Sequence, residues 1–212
     1  KLLFTPEGKI LGAQGVGYDG VEKRIDVLAT ALRFNGTVFD LEELELCYAP
    51  PYSSAKDPVN MLGFVAANIV RGQAKVFHYD EVEKLDLDAV TLIDVRTEAE
   101  NNIGGLPGAK NIALDDLRNH LREIPKDKPV YVSCQVGLRG YLAQRIFMEN
   151  GYDVYNLSGG YKTYAVVMKD KKAREEIDGR FLSSEESRGL PSCIIRPNEV
   201  KNERKVLEVD AC

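Results

Sequence analysis

The sequence has no tryptophan, only two histidines and only four cysteines among its 212 residues. The cysteines stand at positions 47, 134, 193 and 212, where they form no C-x-x-C pair, and no zinc-ligand spacing can be assembled from them and the histidines. We therefore expect no metal site. Disulfide-stabilised domains use more cysteine in less chain, so we expect reduced thiols and a cytoplasmic protein.

An excess of basic charge is also missing. Lys and Arg number 28 and Asp and Glu 33, a net charge of −5, which excludes the electrostatic footprint of a nucleic-acid-binding protein. With 44% hydrophobic and 29% charged residues and no leading signal segment, the chain is expected to fold in solution and not to enter a membrane. It begins with Lys1 and ends with Cys212, and we expect both ends to be cuts in a longer protein.

The first 72 residues predict a small α+β module. Residues 2–11 alternate in hydrophobicity around a Pro-Glu-Gly turn, which indicates a β-hairpin. Apolar residues at helical spacing follow from Val21 and end at Asn35-Gly36. Asp57-Pro58 then opens a second helix with a wide apolar face.

Residues 73–168 change to short apolar strands that alternate with helices. Apolar runs at 90–95, 130–132 and 154–155 are typical of strands buried on both faces of a parallel sheet. An amphipathic helix is predicted over 114–124 and another over 142–150, so the module has the α/β fold class with a central parallel sheet. Beyond it, we predict a charged linker over residues 169–205 and the first strand of a further domain over 206–212.

Cys134 stands between the strand at 130–132 and the helix that follows it. The carboxyl ends of strands in such sheets are where ligands bind, and the amides of a helix N-terminus favour a reactive thiolate. Arg139 adds a positive charge, and Gly137 and Gly140 let the backbone fold closely around the sulfur. We therefore interpret Cys134 as a nucleophile rather than an inert buried thiol.

Several motifs make residues 73–168 similar to a rhodanese domain. They are Leu-Ile-Asp-Val-Arg at 92–96, Gly-Leu-Pro-Gly-Ala at 105–109, the Cys134 loop, and Leu-Ser-Gly-Gly-Tyr at 157–161. The resemblance implies a sulfurtransferase in which Cys134 accepts a sulfane sulfur as a persulfide from thiosulfate, a polysulfide or coenzyme A persulfide. The implied persulfide-binding loop comprises Gln135, Val136, Gly137, Leu138 and Gly140, with Arg139 catalytic beside Cys134. Asp94 and Arg96 match the family's Asp-x-Arg and would support the loop, in a structural or a functional role.

Two other functions are expected to leave different signatures at the cysteine. Cys134 and Arg139 are separated by four residues, whereas tyrosine and dual-specificity phosphatases use five, and the shorter loop suits one terminal sulfur better than a phosphate. A phosphatase is therefore disfavoured. Inactive regulatory rhodanese domains typically lack the cysteine, which is present here.

Residues 15–20 spell G-x-G-x-x-G between a strand and a helix, which on its own predicts a dinucleotide site. We reject this interpretation because residues 37–40 are too short for the parallel strand that a βαβ unit needs, and they lead into Leu41-Glu42-Glu43.

The first 72 residues instead resemble part of the dimerisation domain of pyridine nucleotide-disulfide oxidoreductases. The Tyr-Ala-Pro-Pro-Tyr segment at 48–52 is similar to the coenzyme A-disulfide and persulfide reductase branch, and implies that Tyr48 reaches the reductase site of the partner subunit. The resemblance implies FAD, NAD(P)H and coenzyme A, and a homodimer, for the full-length parent, and no cofactor in this fragment.

Together, the two modules resemble coenzyme A-disulfide reductases with a C-terminal rhodanese domain, and the last residues resemble the opening of a TusA-like domain. We expect a fragment of a flavin-dependent reductase whose rhodanese domain carries sulfur on Cys134. The alternative is a non-catalytic dimerisation and docking module, which the apolar face of the helix over 58–70 favours.

Overall fold

The computed structural model describes residues 1–183 and 207–209. The helices are α1 (Val21–Arg33), α2 (Val38–Glu43), α3 (Pro58–Val70), α4 (Glu98–Ile103), α5 (Leu117–His120), α6 (Leu138–Glu149) and α7 (Gly160–Ser183). The strands are β1 (Leu2–Phe4), β2 (Ile10–Ala13), β3 (Val76–Phe77), β4 (Thr91–Asp94), β5 (Lys110–Asn111), β6 (Val130–Ser133), β7 (Val154–Leu157) and β8 (Leu207–Val209).

The N-terminal module contains the predicted hairpin of β1 and β2, the predicted helices α1 and α3, and one helix that the sequence analysis did not find. That helix, α2, begins with a capping box in which Thr37 and Asp40 each bond the other's backbone N–H. Because α2 follows α1 directly, residues 15–20 do not belong to a βαβ unit. This agrees with rejecting a dinucleotide site there.

The last described strand corrects one prediction. β8 pairs antiparallel with β1, with Leu2 opposite Val209, so the N-terminal sheet has the order β2-β1-β8. The residues expected to open a further domain therefore complete the sheet of the N-terminal module. The rest of that prediction, with its resemblance to a TusA-like domain, falls on residues 206 and 210–212, outside the described residues.

The apolar face of α3 packs within the chain. Asp57 caps the helix by accepting a hydrogen bond from the Val59 N–H at 3.0 Å, with Pro58 in the first turn. A Cβ on Gly63 would lie 2.4 Å from the Glu42 nitrogen, which shows how closely α2 and α3 approach. Burial of Val59 and Leu62 in the core of this module accounts for much of the face that had favoured an interface role.

The α/β module has a five-stranded parallel sheet with the order β3-β7-β6-β4-β5. Its three central strands, β4, β6 and β7, are the predicted ones, and the fold class is confirmed. The two-residue strands β3 and β5 at the edges were not predicted. The single helix expected over 114–124 is shorter, consisting of α5 and a 3₁₀ turn over Leu121–Glu123.

Side chains of α6 bond to the end of α3 and to the segment that follows it. The Asn68 side-chain amide donates to the Tyr141 hydroxyl at 3.4 Å, and Arg145 donates to the Gln73 carbonyl at 3.0 Å. Gln144, which is fully buried, donates to the Lys75 carbonyl at 2.7 Å. The helix that follows Cys134 is therefore held by the segment that joins the modules.

The predicted charged linker starts as a helix. α7 continues through residues 169–183, and residues 184–206, which include Cys193, lie outside the described part of the chain. Within the described part, no helix combines the length and the apolar character needed to cross a membrane.

Candidate active site at Cys134

Cys134 lies at the carboxyl end of β6 in a short loop that leads into α6; we call residues 134–140 the Cys134 loop. Its side chain is buried, with the residue 1% exposed. The Gly137 N–H donates a hydrogen bond to the Cys134 sulfur at 3.0 Å. A backbone donor aimed at the sulfur stabilises the thiolate, which is the form that acts as a nucleophile.

The glycines of the loop serve two different purposes. Gly137 has φ of 118°, in the left-handed region that favours glycine, and this turns its N–H towards the sulfur. Gly140 instead lets α6 approach β7, because a Cβ there would lie 2.1 Å from the Asn156 side-chain oxygen. Of the two glycines predicted to let the backbone fold closely around the sulfur, Gly137 donates its N–H to the sulfur and Gly140 lies against Asn156 instead.

The start of α7 closes over the Cys134 loop. The Tyr161 N–H donates to the Cys134 carbonyl at 2.8 Å, and the Lys162 N–H donates to the Gln135 carbonyl at 3.0 Å. Gly160 has φ of 61°, and a Cβ on it would lie 2.7 Å from the Cys134 oxygen. The Gly-Gly-Tyr motif thus packs directly against the Cys134 loop, and any side chain at position 160 would collide with the loop backbone.

Asp94 and Arg96 form a buried ion pair at the end of β4. The Asp94 carboxylate accepts from the Arg96 N–H at 3.0 Å and from its guanidinium at 2.6 Å, with the two side chains 0% and 2% exposed. Arg96 also donates to the Gln135 side chain at 3.1 Å and to the Gly104 carbonyl at 2.5 Å. Its guanidinium lies 4.3 Å from the centre of the Tyr161 ring. Arg96 therefore links the Cys134 loop to β4, and Asp94 holds Arg96 in place.

Arg139 makes a two-pronged ion pair with Glu100 of α4, at 2.7 and 2.6 Å. The hydrogen bonds from Arg139 are the main reason that the pKa of Glu100 is lowered to about 2, with the Thr97 backbone and hydroxyl contributing. The same bond raises the pKa of Arg139, and the negative charges of Cys134 and Asp94 add to this. Arg139 is thus paired with Glu100, a residue that the sequence analysis missed.

Tyr48 is not part of this site. It lies between α2 and α3 in the N-terminal module, 53% exposed, beside the exposed Cys47. Both border an open surface cleft of about 550 Å³ with Tyr52 and Arg24. The two predicted sets of site residues therefore occupy separate modules.

Comparison with known proteins identifies the family of the α/β module. Residues 79–166 match the rhodanese-like domain family, and the parallel sheet and the Cys134 loop lie almost entirely within that range. The α/β module is a rhodanese-like domain.

The chain is also similar to reductases over part of its length. Coenzyme A disulfide reductase of Staphylococcus epidermidis is 52% identical over 58 residues, which are 27% of this chain and 13% of that protein. The structure of reduced CoADR-RHD from Bacillus anthracis is 51% identical, with a TM-score of 0.77, over 80% of this chain and 30% of that one. An NAD-dependent persulfide reductase from A. fulgidus is 39% identical, with a TM-score of 0.64, over 74% and 28%. The chain is thus similar to coenzyme A disulfide reductase and persulfide reductase structures over the matched residues, and it spans less than a third of the length of these relatives.

Proposed function

We propose that the rhodanese-like domain carries sulfane sulfur as a persulfide on Cys134. The observation that carries the proposal is the hydrogen bond from the Gly137 N–H to the Cys134 sulfur, in the loop that leads into α6. An amide that already meets the sulfur can also stabilise a persulfide anion, in the way that oxyanion holes stabilise oxygen.

The transfer conserves atoms and electrons without any further reagent. The Cys134 thiolate attacks the outer sulfur of thiosulfate, a new S–S bond forms, and the S–S bond of thiosulfate breaks so that sulfite leaves with the electron pair. A thiolate acceptor then attacks the terminal sulfur of the persulfide and releases Cys134 as a thiolate. Arg139 and the N-terminal dipole of α6 favour the anionic form at both stages.

For the longer protein, we propose a dimeric reductase in which the sulfur donor or acceptor is a coenzyme A persulfide or a polysulfide. Among residues 1–183 and 207–209 no βαβ dinucleotide-binding unit is present in the N-terminal module. We therefore assign FAD and NAD(P)H to domains outside these modules, with Tyr48 directed to the partner's reductase site.

The alternative, a purely structural docking module, receives less support. Its motivation was the apolar face of α3, and Val59, Leu62 and Ala66 of that face are buried within the N-terminal core.

The test is to incubate the chain with thiosulfate and to measure its intact mass. The wild type should gain one sulfur atom, and Cys134→Ser should gain none. Cys47→Ser is the matched control, because Cys47 is an exposed thiol without the loop, and this variant should load like the wild type. An unmodified wild type, or equal loading of Cys134→Ser, contradicts the proposal.

A further inference from the structure

Gly137 holds the sulfur, yet little holds Gly137 by packing. A Cβ at this position would meet no side chain or distant backbone atom within 4 Å, so the space on that side of its Cα is open. Its φ of 118° and ψ of −31° lie in a region that glycine enters freely and also leaves freely. The direction of its N–H must therefore be set by hydrogen bonds.

Two hydrogen bonds converge on the Gly137 carbonyl. The first comes from the Tyr141 N–H at 2.8 Å and begins the hydrogen-bond ladder of α6. The second comes from the side-chain amide of Asn156, at 3.1 Å. Asn156 lies in β7, between β3 and β6, and its own N–H donates to the Lys75 carbonyl at 2.9 Å. It therefore reaches the loop from the rigid centre of the sheet.

A glycine of α6 makes room for the Asn156 side chain. Its oxygen lies where a Cβ of residue 140 would be, so the glycine at 140 makes room for the asparagine. The contact is buried, with Asn156 8% exposed. Fixing the Gly137 carbonyl fixes one of the two peptide planes that meet at its Cα, and the other plane carries the N–H that bonds the sulfur.

We propose that Asn156 is a positioning residue for Cys134. It acts through Gly137: its amide restrains the Gly137 carbonyl, and this keeps the Gly137 N–H on the sulfur. The inference rests on the proposed function, because it names a residue that prepares the same thiol for sulfur transfer.

Gln144 provides a matched control. Like Asn156 it is a buried amide that borders a cavity of about 300 Å³ between the modules, and its oxygen, like that of Asn156, has no hydrogen-bond partner among the described side chains. Its amide donates to the Lys75 and Val154 carbonyls, at 2.7 and 2.9 Å, and not to Gly137. Gln144→Ala therefore removes a comparable buried amide and leaves the contact to Gly137 in place.

The experiment uses the full chain with serine at positions 47, 193 and 212, so that Cys134 is the remaining thiol. The alkylation rate with iodoacetamide is measured across pH, together with the rate of sulfur loading from thiosulfate. Asn156→Ala should slow loading by about three- to tenfold, the worth of one ordinary hydrogen bond, and should move the pH midpoint of alkylation upward. Gln144→Ala should lower the melting temperature and leave both readouts unchanged.

The charged and titratable groups around the thiol are unchanged in Asn156→Ala and Gln144→Ala. They are Arg139 of α6, Glu100 of α4, Asp94 and Arg96 at the end of β4, and Tyr161 and Lys162 at the start of α7. A shift of the alkylation midpoint in Asn156→Ala therefore reports the lost amide.

Asn156→Asp keeps the shape of the side chain, replaces the donor by an acceptor and adds a negative charge near the thiol, so it should move both readouts further in the same direction. If Asn156→Ala does not fold, the NMR measurement below decides the matter. A further measurement needs no variant at Asn156 or Gln144. The side-chain amide of Asn156 should shift in NMR spectra as Cys134 ionises, and that of Gln144 should not.

The proposal is overturned if Asn156→Ala and Asn156→Asp both match the wild type, if Gln144→Ala moves the two readouts equally, or if the Asn156 amide does not respond to Cys134. Failure of the proposed function has a different signature. In that case no variant and no wild type loads sulfur, while the alkylation midpoint and the NMR shifts still respond to Asn156.

Discussion

Arg96 lies beside the Cys134 loop and Arg139 lies within it, and the surroundings of the two arginines differ. Arg96 is 2% exposed and contacts a carboxylate, the Gln135 side chain, a carbonyl and an aromatic ring. Arg139 is about a third exposed and is paired with Glu100. A charge that is buried and fully bonded contributes to the framework, whereas a partly exposed charge with a single ion-pair partner can respond to a new anion nearby. Arg96 at the end of β4 therefore supports the Cys134 loop, whereas Arg139 in α6 adjusts the electrostatic potential at the sulfur.

The largest effect is expected from Arg96→Met, which leaves the Asp94 carboxylate buried without its cation. The free energy of unfolding should fall by about 3–5 kcal/mol, measured by urea unfolding. The double variant Arg96→Met with Asp94→Asn removes both charges and should lose less than the single variant. Equal losses in the two proteins would show that the buried ion pair is not what stabilises this side of the loop.

Arg139→Ala should have the opposite profile. The free energy of unfolding should change by no more than about 1 kcal/mol, since the ion pair with Glu100 is partly exposed. Sulfur loading should slow by about tenfold, because a positive charge close to the sulfur is lost. Arg139→Lys keeps the charge without the two-pronged geometry and should load within about threefold of the wild type. An unchanged loading rate in Arg139→Ala would show that the Arg139 charge does not assist sulfur loading.

The smallest effect concerns pH. The pKa of Glu100 is lowered from 4.5 to about 2, so its ion pair contributes stability in full above about pH 4.5 and loses it as the pH falls towards 2. The difference in unfolding free energy between the wild type and Glu100→Gln should therefore shrink over that interval. NMR titration of the Glu100 carboxyl should show a midpoint near 2 in the wild type and a higher one in Arg139→Ala. A midpoint that stays near 2 without Arg139 would assign the low pKa to Thr97 instead.

The elements that the sequence predicted well are those with long or clear patterns. β4, β6 and β7 are apolar because both of their faces are buried, and α1 and α3 have helical spacing with recognisable ends. The edge strands β3 and β5 have two residues each, too few to show a period. α2 was missed although Thr37 and Asp40 carry a capping signal, because its six residues are shorter than the window in which helical periodicity is visible.

The site divides in the same way. The sequence by itself determined that Cys134 follows a buried strand and precedes a helix, with Gly137 free to turn its N–H inward, because strand patterns and glycine turns are local properties of the chain. Tertiary structure alone decided which carboxylate meets Arg139, which amide restrains Gly137, and that β8 joins β1. These partners are 39, 19 and about 200 positions apart, and they meet only because the sheet order and the packing of helices on it bring them together.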